Sequence, residues 1–137
     1  IRLTASGFIF TTSLPPAITA AATASIRHLK KSTLERDKLR QNVSKLKELF
    51  NKKGIKYIEN SSHMVPIIIG DPVLCRKISD RMLEAHSIFV QHINYPTVPK
   101  GTERLRITPT PLHSEENCMD LVEAIVETFN HFGLKLK

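Results

Sequence analysis

The sequence predicts an α/β fold of the α+β kind, in which a small sheet is layered with helices. Segments with helical periodicity alternate with segments rich in β-branched residues, in the order β-α-α-β-α-β-β-α. Turn residues and helix caps separate these segments. Of the 137 residues, 41% are hydrophobic and 24% are charged, which is typical of a globular protein and excludes a disordered, collagen-like or coiled-coil chain.

The N-terminal part is predicted to hold a strand followed by a helix. Residues 7–12 (GFIFTT) are aromatic and β-branched, as is common in strands. The two prolines that follow favour a helix over residues 17–30, with Ser13 or Leu14 as its cap. We interpret residues 1–30 as the end of one domain plus a connecting helix.

A second helix carries the excess positive charge of the chain. Residues 32–35 (STLE) form a capping box that begins this helix, and Gly54 favours its end after Lys53. The net charge is +7, and residues 27–56 alone contribute eleven basic side chains against three acidic ones. Because apolar residues form one stripe of the helix, we expect the basic groups to lie on solvated faces. That stripe consists of Leu39, Val43, Leu46 and Phe50.

Residues 31–137 are predicted to form one small domain. Pro66 places the first strand of this domain near a sheet edge or a strand start. The further elements are a strand over 64–69, a helix from Asp71, strands over 88–93 and 105–107, and a helix from Ser114 to Gly133.

Composition and spacing argue against several classes of protein. The strongly apolar stretch 64–69 is far shorter than the roughly twenty residues of a membrane-spanning helix, so no membrane association is expected. Cys75 and Cys118 stand alone, which excludes a Cys-x-x-Cys site and suits a reducing compartment. The histidines lack metal-ligand spacing, so no metal site is expected. Without aromatic residues among its charges, the basic segment makes nucleic-acid binding only a weak alternative.

Two loops carry polar groups that suit anions. Thr11, Thr12 and Ser13 offer consecutive hydroxyls beside a helix N-terminus, where they either donate to a phosphate or cap the helix. The second loop, residues 94–101 (NYPTVPKG), is followed by a strand in which Arg106 lies on the face opposite Leu105. Such a guanidinium either holds a carboxylate in a bidentate pair or is a surface arginine that pairs with Glu103 or with no residue.

Three segments resemble the α-oxoamine synthases, which are fold-type-I enzymes dependent on pyridoxal phosphate. They are residues 7–16 (GFIFTTSLPP), 90–101 (VQHINYPTVPKG) and 105–113 (LRITPTPLH). The resemblance implies the C-terminal small domain of a fold-type-I transferase, with a small, mostly antiparallel sheet layered with helices. Residues 1–30 are then the end of the large cofactor-binding domain plus a connecting helix, and residues 31–137 are the small domain.

The loop motifs resemble the family member that condenses glycine with succinyl-CoA to 5-aminolevulinate, CoA and carbon dioxide, in haem biosynthesis. That resemblance implies a homodimer whose site is shared between subunits. Thr11 and Thr12 are then expected to contact the phosphate of pyridoxal 5'-phosphate from the partner subunit. Thr97 is expected to contact succinyl-CoA near its carboxylate end, and Arg106 to hold the glycine carboxylate. A different acyl-CoA remains an alternative.

The chain also departs from the family pattern. No lysine stands in the context of the family's Schiff-base lysine, so no catalytic residue is assigned, and these residues alone are expected to be inactive. Ser87 and His92 stand where relatives more often have glycine and alanine. A bacterial cytoplasmic location is expected, with the mitochondrial matrix as the alternative.

Overall fold

The computed structural model describes residues 3–5, 7 and 14–136, and the chain divides into two compact units, Ile1–Leu34 and Glu35–Lys137. In the first unit, helix α1 spans Pro16–Lys31 and every one of its residues is exposed. Its cap is Pro15, and not Ser13 or Leu14 as expected, because the second proline already occupies the first helical position. The strand predicted over 7–12 lies outside the described residues except for Gly7, which is helical.

Helix α2 spans Leu34–Lys53, as the capping box and the glycine predicted. The Leu34 N–H donates to Oγ of Ser32 at 3.2 Å. Gly54, with a φ of 70°, takes the left-handed conformation that ends a helix without steric cost. The apolar stripe of α2 faces the core, because Val43, Leu46 and Phe50 are buried.

A three-stranded antiparallel sheet forms the centre of the second unit. Strand β1 spans Val65–Ile68, β2 spans Gln91–Ile93 and β3 spans Arg104–Ile107, in the spatial order β1-β3-β2. The predicted antiparallel sheet is therefore confirmed, with Pro66 on an edge strand. Strand β2 is shorter than predicted because the N–H of Ile88 bonds to the carbonyl of Met82, at the end of the preceding helix.

Two further helices complete this unit. Helix α3 spans Pro72–His86 and helix α4 spans Glu115–His131. Asp71 caps α3 by accepting from the N–H of Leu74 at 2.6 Å, and Ser114 forms a capping box with Asn117 at the start of α4. These helices bury apolar residues together with α2 and the inner face of the sheet. That core includes Leu46, Phe50, Val65, Ile67, Ile78, Met82, Leu105, Ile107, Ile125 and Phe129.

Within the described ranges, no helix combines the length and the apolar character needed to cross a membrane.

Candidate functional site

Arg106 lies on the outer face of the central strand β3. Alternation along the strand buries Leu105 completely, whereas Arg106 is exposed, as the sequence predicted. Its Nη2 group donates a hydrogen bond to Oε1 of Gln91, the residue directly opposite on β2. The alternative pairing with Glu103 is wrong, because that carboxylate is buried and bonds elsewhere.

A pocket of about 370 Å³ opens beside Arg106. Its walls come from the residues that precede β2, the turn that follows β3, and helices α2 and α4. They include Leu46, Phe89, Arg106, Pro109, His113 and Asp120. The pocket therefore places a guanidinium beside apolar walls and the acidic side chain of Asp120.

Asn42 on α2 fixes the turn that forms one wall of this pocket. Its Nδ2 group donates to the carbonyl of Thr110 at 2.8 Å and to the carbonyl of His113 at 2.9 Å. Nδ1 of His113 in turn accepts from the N–H of Thr110 at 3.1 Å. One amide side chain thus closes both ends of a turn that lies far from it in sequence.

The loop that joins β2 to β3 contains Thr97 and is held by several local bonds. The Tyr95–Pro96 peptide bond is cis, and the N–H of Thr97 donates to the carbonyl of Asn94 at 3.0 Å. The ammonium group of Lys100 lies 5.1 Å from the centre of the Tyr95 ring, within cation–π range. Thr97 itself is exposed on this loop.

Glu103 anchors the end of the same loop from inside the protein. Only 2% of the residue is exposed, and its Oε2 accepts from the N–H of Gly101 at 2.9 Å. Its own carbonyl accepts from the N–H groups of Ile69 and Gly70, at 2.8 and 3.0 Å. Burial raises the pKa of the nearby Cys75 thiol to about 11, and the charge of Glu103 adds to that effect.

The structure brings together some of the predicted site residues. Thr97 and Arg106 belong to one hairpin, with Thr97 in its loop and Arg106 in its second strand. Thr97 is not among the residues that line the pocket beside Arg106. Thr11 and Thr12 lie outside the described residues.

Gln91, Asn42 and Glu103 were not identified as site residues from the sequence. The bonds of Gln91 and Asn42 depend on partners 15 and about 70 residues away, so no local pattern reveals them. Glu103 could have been recognised, since alternation from exposed Arg106 places residues 103, 105 and 107 on the buried face.

Comparison with known proteins identifies similar sequences. A family model described as aminotransferase class I and II matches residues 1–125. The 5-aminolevulinate synthase of Rickettsia bellii is 59% identical over 99% of this chain and 33% of its own length. That of Rhizobium meliloti is 56% identical over 98% of this chain and 33% of its own length. The mitochondrial 5-aminolevulinate synthase of Emericella nidulans is 48% identical over 98% and 21%, respectively.

Solved structures confirm the predicted fold-type-I architecture. A high-resolution structure of SPT with PLP superposes with a TM-score of 0.89 and 26% identity, over 98% of this chain and 34% of that one. The serine palmitoyltransferase of Sphingomonas wittichii gives a TM-score of 0.86 and 28% identity, over 96% and 33%. The resemblance to the α-oxoamine synthases is confirmed by these relatives, and the chain spans about a third of the length of the bacterial ones.

Proposed function

This chain belongs to the aminotransferase class I and II family, and we propose that it forms the C-terminal part of an enzyme with 5-aminolevulinate synthase activity. The enzyme is a pyridoxal 5'-phosphate-dependent acyltransferase that condenses glycine with succinyl-CoA. The products are 5-aminolevulinate, CoA and carbon dioxide, so the activity supplies haem biosynthesis. The observation that carries this proposal is the placement of Arg106, exposed on the central strand and hydrogen-bonded to an uncharged side chain.

Arg106 binds the carboxylate of glycine in this proposal. A guanidinium presents several N–H donors in one plane, and two of them can engage both oxygens of a carboxylate. Among residues 14–136, no acidic side chain forms an ion pair with Arg106. Its charge is therefore available for a substrate, and such a bond contributes about 1.5–3 kcal/mol.

Thr97 contacts succinyl-CoA near its carboxylate end. Its backbone N–H donates a hydrogen bond within the loop. Its exposed hydroxyl has no hydrogen-bond partner among the described residues. A hydroxyl can donate to a carboxylate oxygen. The internal bonds of the loop hold the backbone of Thr97 in place before the substrate binds, while its hydroxyl can rotate towards the ligand.

When bound, pyridoxal phosphate would supply an electron sink for the reaction of glycine. Thr11 and Thr12 would hold its phosphate through their hydroxyls, from the partner subunit of a homodimer. The donor set of this chain fits one part of such a site, namely hydroxyls for a phosphate and a guanidinium for a carboxylate. Lys45 fits the covalent role poorly, because it pairs with Glu115 at 2.7 Å, which raises its pKa.

Other readings are less well supported. A different acyl-CoA fits the fold, but the serine palmitoyltransferase structures are 26–28% identical, whereas the 5-aminolevulinate synthases reported above are 48–59% identical. Nucleic-acid binding is not supported by any relative reported above. The bacterial relatives favour the bacterial cytoplasm, with the mitochondrial matrix second because of the Emericella protein.

Substitution of Arg106 in the complete enzyme tests this proposal. We expect Arg106→Ala to raise the glycine KM by about tenfold or more, with little change in the KM for succinyl-CoA. Arg76→Ala, an exposed position on α3, is the control. Unchanged glycine dependence would remove Arg106 from the site. A clear preference of the wild type for acetyl-CoA or a long-chain acyl-CoA would contradict the succinyl assignment.

A further inference from the structure

Gln91 and Arg106 are paired by the register of the sheet. Strands β2 and β3 are antiparallel, and their Cα partners are Gln91 with Arg106, His92 with Leu105 and Ile93 with Arg104. Directly opposite residues share one face of the sheet, so Gln91 and Arg106 both project from the outer face. Both are exposed, whereas Leu105 between the two arginines is buried.

The hydrogen bond between them restrains the guanidinium. Nη2 of Arg106 donates to Oε1 of Gln91, and no other side-chain hydrogen bond of Arg106 is found within the described ranges. A guanidinium has five N–H donors, so this bond leaves four for a ligand. A long side chain that is free to rotate loses conformational entropy when it binds a ligand. Because this bond already restrains Arg106, the entropic cost of binding is lower.

The partner of Arg106 is an amide and not a carboxylate. A glutamate at position 91 would form a salt bridge with Arg106 and would compete with any carboxylate that approaches. The amide accepts a hydrogen bond without neutralising the positive charge. The guanidinium of Arg106 is thus held in one orientation and keeps its positive charge.

We propose that Gln91 is the positioning residue that orients Arg106 for the amino acid carboxylate, and that its lack of charge keeps that site open. This inference rests on the proposed function, in which Arg106 holds glycine. Gln91 acts through Arg106 and needs no contact with the reacting atoms. It also contributes to specificity, because the pair favours a ligand with one negative charge at this end.

Kinetics of the complete enzyme test the proposal. We expect Gln91→Glu to raise the glycine KM by about tenfold, while kcat at saturating glycine and the KM for succinyl-CoA change by less than about twofold. Gln91→Leu removes the restraint but adds no charge, so its glycine KM rises less, by about threefold. Gln41→Glu makes the same change on the exposed face of α2 and leaves all three parameters near the wild type.

A chemical probe of Arg106 supplies a readout independent of activity. Phenylglyoxal modifies exposed arginines, and peptide mass spectrometry measures the rate at Arg106 in the complete enzyme. Glycine should slow this modification in the wild type. In Gln91→Glu, the modification should be slow already, because the guanidinium is paired, and glycine should add no protection.

The outcomes separate the two proposals. If the wild type makes no 5-aminolevulinate from glycine and succinyl-CoA, the proposed function fails. If it does, but Gln91→Glu keeps the wild-type glycine KM and the wild-type protection, the role of Gln91 fails alone. The role of Gln91 would also be overturned if Gln91→Glu and Gln91→Leu lowered kcat and thermal stability and raised both KM values to the same extent. That pattern indicates a purely structural residue.

Discussion

Oε2 of Glu103 accepts a hydrogen bond from the backbone N–H of Gly101 at 2.9 Å, although only 2% of Glu103 is exposed. A buried carboxylate requires such partners, because an unpaired charge in the core is strongly unfavourable. The same residue joins the end of the loop to Ile69 and Gly70 through its carbonyl. The loop that contains Thr97 is therefore attached to the core at its C-terminal end.

Removal of the Glu103 carboxylate should destabilise the protein. We expect Glu103→Ala to lower the free energy of unfolding by about 2–3 kcal/mol, because the Gly101 N–H loses a charge-assisted bond and a cavity remains. Urea denaturation measures this change. Glu123→Ala, an exposed acidic position in the interior of α4, should change stability by less than about 0.5 kcal/mol. Equal effects of the two substitutions would contradict the anchoring role.

Asn42 should contribute through its two hydrogen bonds to the turn. We expect Asn42→Ala to lower the free energy of unfolding by about 1–3 kcal/mol, since the carbonyls of Thr110 and His113 both lose a donor. Asn42→Asp should cost at least as much, because a carboxylate cannot donate and repels both carbonyls. The exposed neighbour Gln41 provides the control Gln41→Ala. A wild-type urea midpoint in Asn42→Ala would contradict this assignment.

Ser87 ends α3 in the left-handed conformation, with a φ of 56°. Glycine adopts that conformation without the steric cost that a Cβ atom adds. We therefore expect Ser87→Gly to stabilise the protein by about 0.5–1 kcal/mol, which thermal unfolding can measure. Ser44→Gly, in the right-handed interior of α2, should instead destabilise it by about 0.5 kcal/mol. If both changes lower the melting temperature, the conformational argument is wrong.

Glu127 should make stability depend on pH in the acid range. Its hydrogen bond with Arg81, at 2.7 Å, lowers the pKa of the Glu127 carboxyl, and the charge of His86 acts in the same direction. A lowered folded pKa contributes stability that is present above the unfolded pKa of about 4.3 and is lost as the pH falls through the folded pKa. The contribution of Glu127 thus disappears as the pH falls from about 5.

The variant Glu127→Gln tests this pH dependence. We expect its stability curve to be flatter than that of the wild type below about pH 5, and the two curves to differ most near neutral pH. Glu84→Gln, the same change at an exposed position of α3, is the matched control. A Glu127→Gln curve parallel to the wild type from pH 7 to about pH 3 would exclude the pair as a source of acid sensitivity.

The helix boundaries could be predicted because they depend on local chemistry. Asp71, Ser114 and Gly54 each act within a few residues of the helix end that they form. The start of β2 could not be predicted from local pattern. Residues 88–90 are as apolar as a strand, but the N–H of Ile88 is used at the end of α3. The path of the chain after Ser87 decides whether the N–H of Ile88 bonds to the carbonyl of Met82 or to a neighbouring strand.

The candidate site was predictable to a similar degree. Alternation along β3 gave the exposure of Arg106 correctly, because one buried neighbour is enough to assign the face. Its partner was not predictable, since Gln91 reaches Arg106 only through the register of two strands. The proposed roles of Thr11, Thr12 and Thr97 still rest on the family resemblance.

The order β1-β3-β2 places the two residues of the proposed site in different parts of the sheet, one on the central strand and one in a loop. Arg106 stands on a strand that is bonded on both sides, opposite Pro66 on β1 and Gln91 on β2. Thr97 lies on the connection outside the ladder. In the proposed site, the connection that recognises the acyl group can therefore change in length and sequence without moving the strand that binds the amino acid, so one scaffold can serve several acyl donors.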